Sequence, residues 1–201
     1  SVLAPKGILV NLVEFSPLSG GIAACIQAAA AAKPLGMLIA GEPSLPPEAL
    51  PAELPVVLLG SYDRLENCNI CGIHYRDAAE KMVSHLHTMG HRSIWLLQSS
   101  GESPEKAAIT AGYRQAAAAL GLTDRQCRVL EAEDSVVGGY RICREEILTE
   151  EPPQAVFAVS DELAMGVIKA AREENIPLPE GLAVAGFTGS EAAAVITPAL
   201  T

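Results

Sequence analysis

Short apolar runs alternate with helical patterns along the chain, and this alternation constrains the fold more than any other feature. The runs lie at 7–13, 35–40, 55–59, 69–73, 93–97, 126–130, 154–159 and 182–187. Helical patterns lie between several of them, at 21–33, 76–89, 104–120, 136–149 and 161–174. Strands that alternate with helices predict parallel sheets built from βαβ units. Runs as continuously apolar as "PVVLL" and "LAVAGF" are typical of strands covered on both faces. The predicted class is therefore α/β.

The charge balance excludes one class of function. The chain carries 14 basic and 24 acidic residues, a formal charge of −10. Because proteins bind DNA largely by neutralising phosphates with Lys and Arg, we do not expect this chain alone to bind nucleic acid. No run approaches the roughly 18 apolar residues of a membrane span, and the N-terminus does not read as a signal peptide. The five cysteines form no disulfide framework, so we expect reduced thiols in a cytoplasmic protein.

Metal and catalytic motifs are weak. Cys68, Cys71 and His74 are spaced as in some zinc sites, but a structural zinc ion needs four ligands and the usual second pair is missing. Residues three apart on a strand also point to opposite faces. We therefore predict buried thiols and no metal. The sequence has no nucleophile elbow, Walker loop or dinucleotide-binding glycine motif, so neither an enzyme nor a cofactor is predicted.

The segment "AVFAVSDELAMG" places Ser160 and Asp161 where an apolar run ends and a helical pattern begins. In parallel α/β sheets this junction is where ligands usually meet the protein. Short polar side chains at a helix N-terminus can cap the helix or bind ligand hydroxyls. Both interpretations stay open here: Ser160 as N-cap and Asp161 as first-turn acid, or the two residues as a ligand-binding pair.

Four blocks occur in order and with compatible spacing: "AEKMVSHLHTMGHRSIWLL", "ITAGYRQAAAALGL", "PQAVFAVSDELAMGVIKAAREENIPLPEGLAVAGF" and "TPALT". Together they resemble the effector-binding part of the lac/galactose repressor family, whose fold is that of periplasmic sugar-binding proteins. The resemblance covers about residues 55–201. It implies two doubly wound parallel-sheet subdomains with a ligand cleft between them.

The resemblance also implies a domain division. It assigns residues 1–73 to a partial N-terminal subdomain and residues 74–201 to a C-terminal subdomain that lacks the family's return segment. The family's N-terminal helix-turn-helix has no counterpart ahead of "SVLAPKGILV", and roughly two elements are missing between residues 14 and 35. We therefore expect the periplasmic-binding-protein-like fold to be incomplete here.

The cleft that the resemblance implies gives a set of candidate ligand-binding residues. The set is Asp161, Ser160, Thr188, Ser190, Ser16, Tyr75 and Lys106, with Glu14, Ser19, Arg76 and Glu102 as further candidates. Asp161 is the strongest candidate as an acceptor, and Lys106 is either a cation for an anionic ligand or a solvated surface lysine. Family members carry charged sugar-binding groups at three positions that hold Gly60, Ile109 and Thr188 here. We therefore expect neutral monosaccharides to bind poorly.

The leading functional hypothesis is the ligand-sensing and dimerisation domain of a cytoplasmic bacterial transcriptional repressor. A small-molecule effector, a sugar derivative or another metabolite, would control DNA binding, with operator DNA contacted only through a separate helix-turn-helix. We expect a homodimer through 161–174, 189–196 and 181–187, with no membrane contact. Close approach would be allowed by alanines, namely Ala164, Ala170, Ala171, Ala192, Ala193 and Ala194. The alternative is a periplasmic solute-binding protein of a transporter.

Overall fold

The computed structural model describes residues 10–14, 21–40, 47–60, 68–149, 151–191 and 193, and the chain divides into two compact units, 1–73 and 74–201. The helices are α1 (Gly21–Ala31), α2 (Tyr75–Thr88), α3 (Pro104–Ala119), α4 (Val136–Ile142) and α5 (Asp161–Glu173). The strands are β1 (Met37–Ala40), β2 (Val56–Leu59), β3 (Asn69–Cys71), β4 (Ile94–Ser99), β5 (Val129–Ala132), β6 (Ala155–Ala158) and β7 (Ala183–Ala185). All described strand pairs are parallel, which confirms the predicted α/β class. The assignment of the two units to the family's subdomains stays a prediction.

Unit 1 contains a three-stranded sheet in the order β1-β2-β3. Its buried cluster joins one face of this sheet to α1 and a short 3₁₀ turn, and consists of Ile26, Ile39, Ala49, Val56 and Leu58. On the opposite face Leu38 is 70% exposed, and no described helix packs against it.

The strand predicted at 7–13 is wrong over its described part. Residues 10–13 form no strand, and Val10, Leu12 and Val13 are exposed. A strand is stabilised by hydrogen bonds to a neighbouring strand, and this segment pairs with none of the described strands. An apolar pattern alone therefore does not produce a strand here.

Unit 2 contains a four-stranded sheet in the order β5-β4-β6-β7, covered by helices on both faces. Alternate side chains of β4 enter two separate clusters. Ile94 and Leu96 pack with α2 and α3, whereas Trp95 and Leu97 pack with α4 and α5. A strand that buries both faces is the arrangement expected of a doubly wound sheet.

The helix ends of unit 2 follow from local sequence. Ser103, Ser135 and Ser160 cap α3, α4 and α5, each accepting a hydrogen bond from the backbone N–H three residues on. The predicted helix 136–149 is shorter than expected, since α4 passes into a π-helical turn at Cys143–Ile147. No helix in the described part of the chain has the length and apolarity needed to cross a membrane.

Helices α4 and α5 approach closely through glycines. A Cβ placed on Gly139 would lie 2.2 Å from the carbonyl oxygen of Leu163, and one on Gly166 would lie 2.3 Å from that of Val136. Any side chain at either position would force the helices apart.

Candidate functional site

The carboxyl end of β6 leads directly into α5 through Ser160. The backbone of Ser160 is extended (φ −135°, ψ 155°), and its hydroxyl accepts from the N–H of Leu163 at 3.3 Å. The same hydroxyl donates to Oδ1 of Asp134, which lies in the loop after β5. Ser160 is 5% exposed, so it caps the helix and also fixes the loop after β5.

Asp161 links the start of α5 to the loop after β7. Its Oδ2 accepts from the backbone N–H of Ser190 at 2.6 Å, and its own N–H donates to Oγ1 of Thr188 at 3.1 Å. The residue is 1% exposed. Burial by itself raises the pKa of Asp161, but hydrogen bonds from Ser190 and Thr188 outweigh burial and hold the pKa below its usual value. The carboxylate is therefore ionised and ties α5 to the loop after β7.

A second polar cluster lies at the carboxyl ends of β4 and β5. Lys106, on α3, is 8% exposed, and its Nζ donates to the carbonyl oxygen of Gly101 at 2.6 Å and to Oε1 of Glu131 at 2.8 Å. The hydrogen bond from Lys106 lowers the pKa of Glu131. Gln98 lies beside this pair and is itself held by the hydroxyl of Thr110 at 2.8 Å.

The structure brings together four of the predicted residues: Ser160, Asp161, Thr188 and Ser190. Tyr75, the first residue of α2, stacks its ring on Phe187 at 6.0 Å between centroids, just before Thr188. Lys106 belongs to the separate cluster with Glu131.

The remaining candidate residues are exposed or lie outside the described residues. Arg76 and Glu102 are exposed in unit 2, Glu14 is exposed in unit 1, and Ser16 and Ser19 lie outside the described residues. The role of the whole set in ligand binding stays a prediction.

Of the positions that lack the family's charged groups, Ile109 is buried in the core between α2, α3 and the sheet. Gly60 has a positive φ of 135° directly after β2.

Sequence reasoning missed Asp134, Glu131 and Gln98. Asp134 lies after β5 and directly before Ser135, the N-cap of α4, so its position was a readable signal. Glu131 was missed because it lies one residue beyond the predicted run 126–130, whereas β5 occupies Val129–Ala132. Gln98 lies opposite Glu131 in the pairing of β4 with β5, and this register cannot be read from the sequence.

No group of three His, Cys, Asp or Glu residues in the described ranges is arranged to hold a metal ion. In the CxxCxxH segment, Cys71 is exposed at the end of β3, and His74 precedes the first turn of α2. The expectation that its thiols are buried is therefore wrong for Cys71.

Two concave surfaces in unit 2 are lined by none of the predicted residues, although Phe187 of the second contacts Tyr75. One, of about 400 Å³, is lined by Trp95, Arg125, Arg128, Thr149 and Glu151. The other, of about 380 Å³, is lined by Ala78, Lys81, Met82, His85, Gly186 and Phe187. The hydrogen-bonded side chains at the carboxyl edge of the sheet are the better candidate, because open α/β sheets bind ligands at that edge.

Comparison with known proteins identifies the family of the chain. Residues 83–201 match the family described as "Periplasmic binding protein-like domain". Catabolite control protein A of Priestia megaterium is 29% identical over 149 residues, which are 74% of this chain and 45% of that protein. The HTH-type transcriptional repressor PurR of Haemophilus influenzae (strain PittEE) is 30% identical over 138 residues, 67% of this chain and 40% of that repressor.

A solved structure agrees in fold. The transcription regulator GntR from Chromobacterium violaceum is 26% identical with a TM-score of 0.75, and the match covers 100% of this chain and 74% of that one. The chain spans less than half the length of these two curated relatives, of which PurR is named as a transcriptional repressor. The family match covers more than half of the chain, so the chain belongs to the periplasmic binding protein-like domain family.

Proposed function

We propose that this chain is the ligand-sensing and dimerisation part of a cytoplasmic bacterial transcriptional regulator. The observation that carries the proposal is the Ser160–Asp161 junction, which hydrogen-bonds to the loops after β5 and β7 at once. Three loops that meet at the carboxyl edge of a parallel sheet are joined there by two adjacent residues. A small molecule bound at this edge would shift the loops together, which is what an effector domain requires.

The matched relatives favour a regulator over a periplasmic solute-binding protein. Of the curated relatives cited above, PurR is named as a transcriptional repressor and the other as a catabolite control protein. We propose that DNA is contacted through a separate helix-turn-helix domain, since the acidic balance of this chain opposes phosphate binding. A gel shift with this chain alone at physiological salt should show no specific retardation.

We also propose a homodimer that uses the exposed side of α5. Ala164, Ala170 and Ala171 are fully buried within unit 2, so they pack inside one subunit and are not available for a contact between subunits. Ala193 is also buried, whereas Ala192 and Ala194 lie outside the described residues. The outer side of α5 carries Lys169 and Glu173, which bind each other and Tyr140 of α4. Sedimentation at micromolar concentration tests the dimer, and a monomer would contradict it.

A thermal-shift screen of sugars, sugar phosphates, amino sugars, nucleosides and amino acids tests the sensing function. A ligand at 100 times its dissociation constant adds about 2.7 kcal/mol to the free energy of unfolding, which such a screen detects. The true effector should also change operator binding by the full-length regulator. A ligand that stabilises this chain and leaves operator binding unchanged would contradict a regulatory role.

A further inference from the structure

The loop after β7 is held by the first residues of two helices. From α2, the ring of Tyr75 stacks on that of Phe187, with 6.0 Å between the centroids and 25° between the ring planes. From α5, Asp161 accepts from the N–H of Ser190 and donates its own N–H to the hydroxyl of Thr188. Because α2 and α5 pack in the clusters on opposite faces of the sheet, this loop joins the starts of two helices that lie on opposite faces.

The start of α2 differs from the starts of the helices that follow it. Helices α3, α4 and α5 each begin at a serine whose hydroxyl accepts a backbone N–H of the first turn. The residue at the same position of α2 is His74, whose side chain makes no such bond. A first turn without a side-chain cap frays more readily. The stack of Tyr75 on Phe187, at a separation that aromatic pairs favour, therefore gives the first residue of α2 an anchor of another kind.

The start of α2 is also the place where the chain enters unit 2. Unit 1 ends at Ile73 and unit 2 begins at His74, so Tyr75 is the second residue of unit 2. The ring of Tyr75 thus connects this entry point to the loop that Asp161 holds at the carboxyl edge of the sheet.

We propose that Tyr75 is a positioning residue that couples the start of α2 to Asp161 through the loop after β7. The inference rests on the proposed sensing function, since a ligand that fixes this loop would also fix the point where the chain enters unit 2. It assigns to Tyr75 a role other than direct contact with the ligand. Because coupling between two places in a protein is reciprocal, loosening either end should loosen the other.

Hydrogen exchange of single amides on the 201-residue chain measures this coupling without a ligand. The reporter for α2 is the amide of Ala78, which donates to the carbonyl oxygen of His74 at 2.9 Å. The reporter for the loop is the amide of Ser190, which donates to Asp161. The amide of Leu96, in the central strand β4, reports unfolding of the whole unit.

Two substitutions loosen the two ends separately. Asp161→Ala should speed exchange at Ala78 about tenfold relative to Leu96, although Asp161 does not belong to α2. Tyr75→Leu removes the aromatic ring and should speed exchange at Ser190 by a similar factor.

Each substitution has a matched control. Tyr75→Phe keeps the ring and should restore wild-type exchange at Ser190. Asp134→Ala breaks the other bond of the same junction, the one from the hydroxyl of Ser160, and should leave Ala78 unchanged relative to Leu96. Faster exchange at Ala78 in Asp134→Ala would show that any damage to the start of α5 has this effect, and would overturn the inference.

Wild-type exchange at Ala78 in Asp161→Ala, or at Ser190 in Tyr75→Leu, would overturn the inference as well. So would an equal acceleration at Leu96, because unfolding of the whole unit explains it. If Asp161→Ala does not fold, the comparison of Tyr75→Leu with Tyr75→Phe decides alone. Failure of the coupling leaves the sensing function to the thermal-shift screen. Coupled helix starts together with a screen that finds no ligand would count against the sensing function alone.

Discussion

The carboxylate of Asp161 and the backbone N–H of Ser190 are joined by a hydrogen bond of 2.6 Å. A second bond runs the opposite way, from the N–H of Asp161 to the hydroxyl of Thr188. The first turn of α5 and the loop after β7 therefore hold each other through both a side chain and a main chain. Asp161 is in the first instance a structural link, and any effect on ligand affinity acts at least partly through the loop that it positions.

Replacing Asp161 with Ala should lower the free energy of unfolding by about 1–3 kcal/mol, because Ser190 loses its acceptor in a buried place. Asp161→Asn keeps an amide oxygen for the same bond and should cost less. Effector affinity should fall roughly ten- to a hundredfold in Asp161→Ala. Urea unfolding and calorimetry measure the two effects. Unchanged stability together with unchanged affinity would remove Asp161 from the site.

Protonation of Asp161 should contribute to the loss of stability at acid pH. Its pKa in the folded protein lies below the ordinary value of 3.8, so the folded state binds the proton less readily than the unfolded state. The resulting stabilisation is complete above the unfolded pKa and is lost as the pH falls through the folded pKa. Below about pH 4 the wild type should therefore lose stability more steeply than Asp161→Ala. Parallel urea titrations between neutral pH and the acid limit of folding measure the slopes, and identical slopes would contradict the assignment.

Tyr113 is fully buried, and its hydroxyl donates to the carbonyl oxygens of Ile94 at 2.7 Å and Arg128 at 3.1 Å. Tyr113→Phe removes the donor from both and should cost about 1–3 kcal/mol of unfolding free energy. Tyr140→Phe is the control, since the hydroxyl of Tyr140 binds Glu173 at an exposed position. Chemical denaturation measures the free energy of unfolding of both variants. Equal losses in the two would show that burial of the Tyr113 hydroxyl does not set the cost of removing it.

Gly166→Ala should destabilise unit 2 by about 1–3 kcal/mol or more, because the added methyl group meets the backbone of α4 rather than a movable side chain. Val137→Ala, at a position of α4 that is 73% exposed, should change stability by less than about 0.5 kcal/mol. Thermal unfolding followed by circular dichroism checks both. A Gly166→Ala protein as stable as wild type would mean that the helices separate at little cost.

The sequence predicted the elements of unit 2 well where the signals are local. The run before Ser160 gave β6, and the Ser–Asp pair marked the start of α5, because an N-cap acts only on the next few residues. The end of α5 was equally readable, since Asn175 takes a φ of 58° ahead of Pro177. The prediction of helix 136–149 failed at its end because the π-helical turn at Cys143–Ile147 has no sequence signal of its own.

The contacts that define the candidate site depend on register and on distant segments. Glu131 meets Lys106 only because β5 pairs with β4 so that Glu131 lies opposite Gln98, and α3 crosses above them. Ser190 reaches Asp161 over 29 residues of sequence. Local patterns predict neither contact, so the sequence identified Lys106, Ser190 and Asp161 as candidates but not which groups they bind.

On the face of the β1-β2-β3 sheet that carries the exposed Leu38, no helix of the described part of the chain packs, so we expect proteases to cut the two units at different rates. Among the described residues, unit 1 has one small buried cluster, whereas unit 2 has two larger ones on opposite sides of its sheet. Segments with few buried apolar contacts open at lower free energy than the rest of a protein. Limited digestion should therefore cut within residues 1–73 first and leave a fragment close to residues 74–201, and on heating the same difference should appear as an early, shallow step ahead of the main transition.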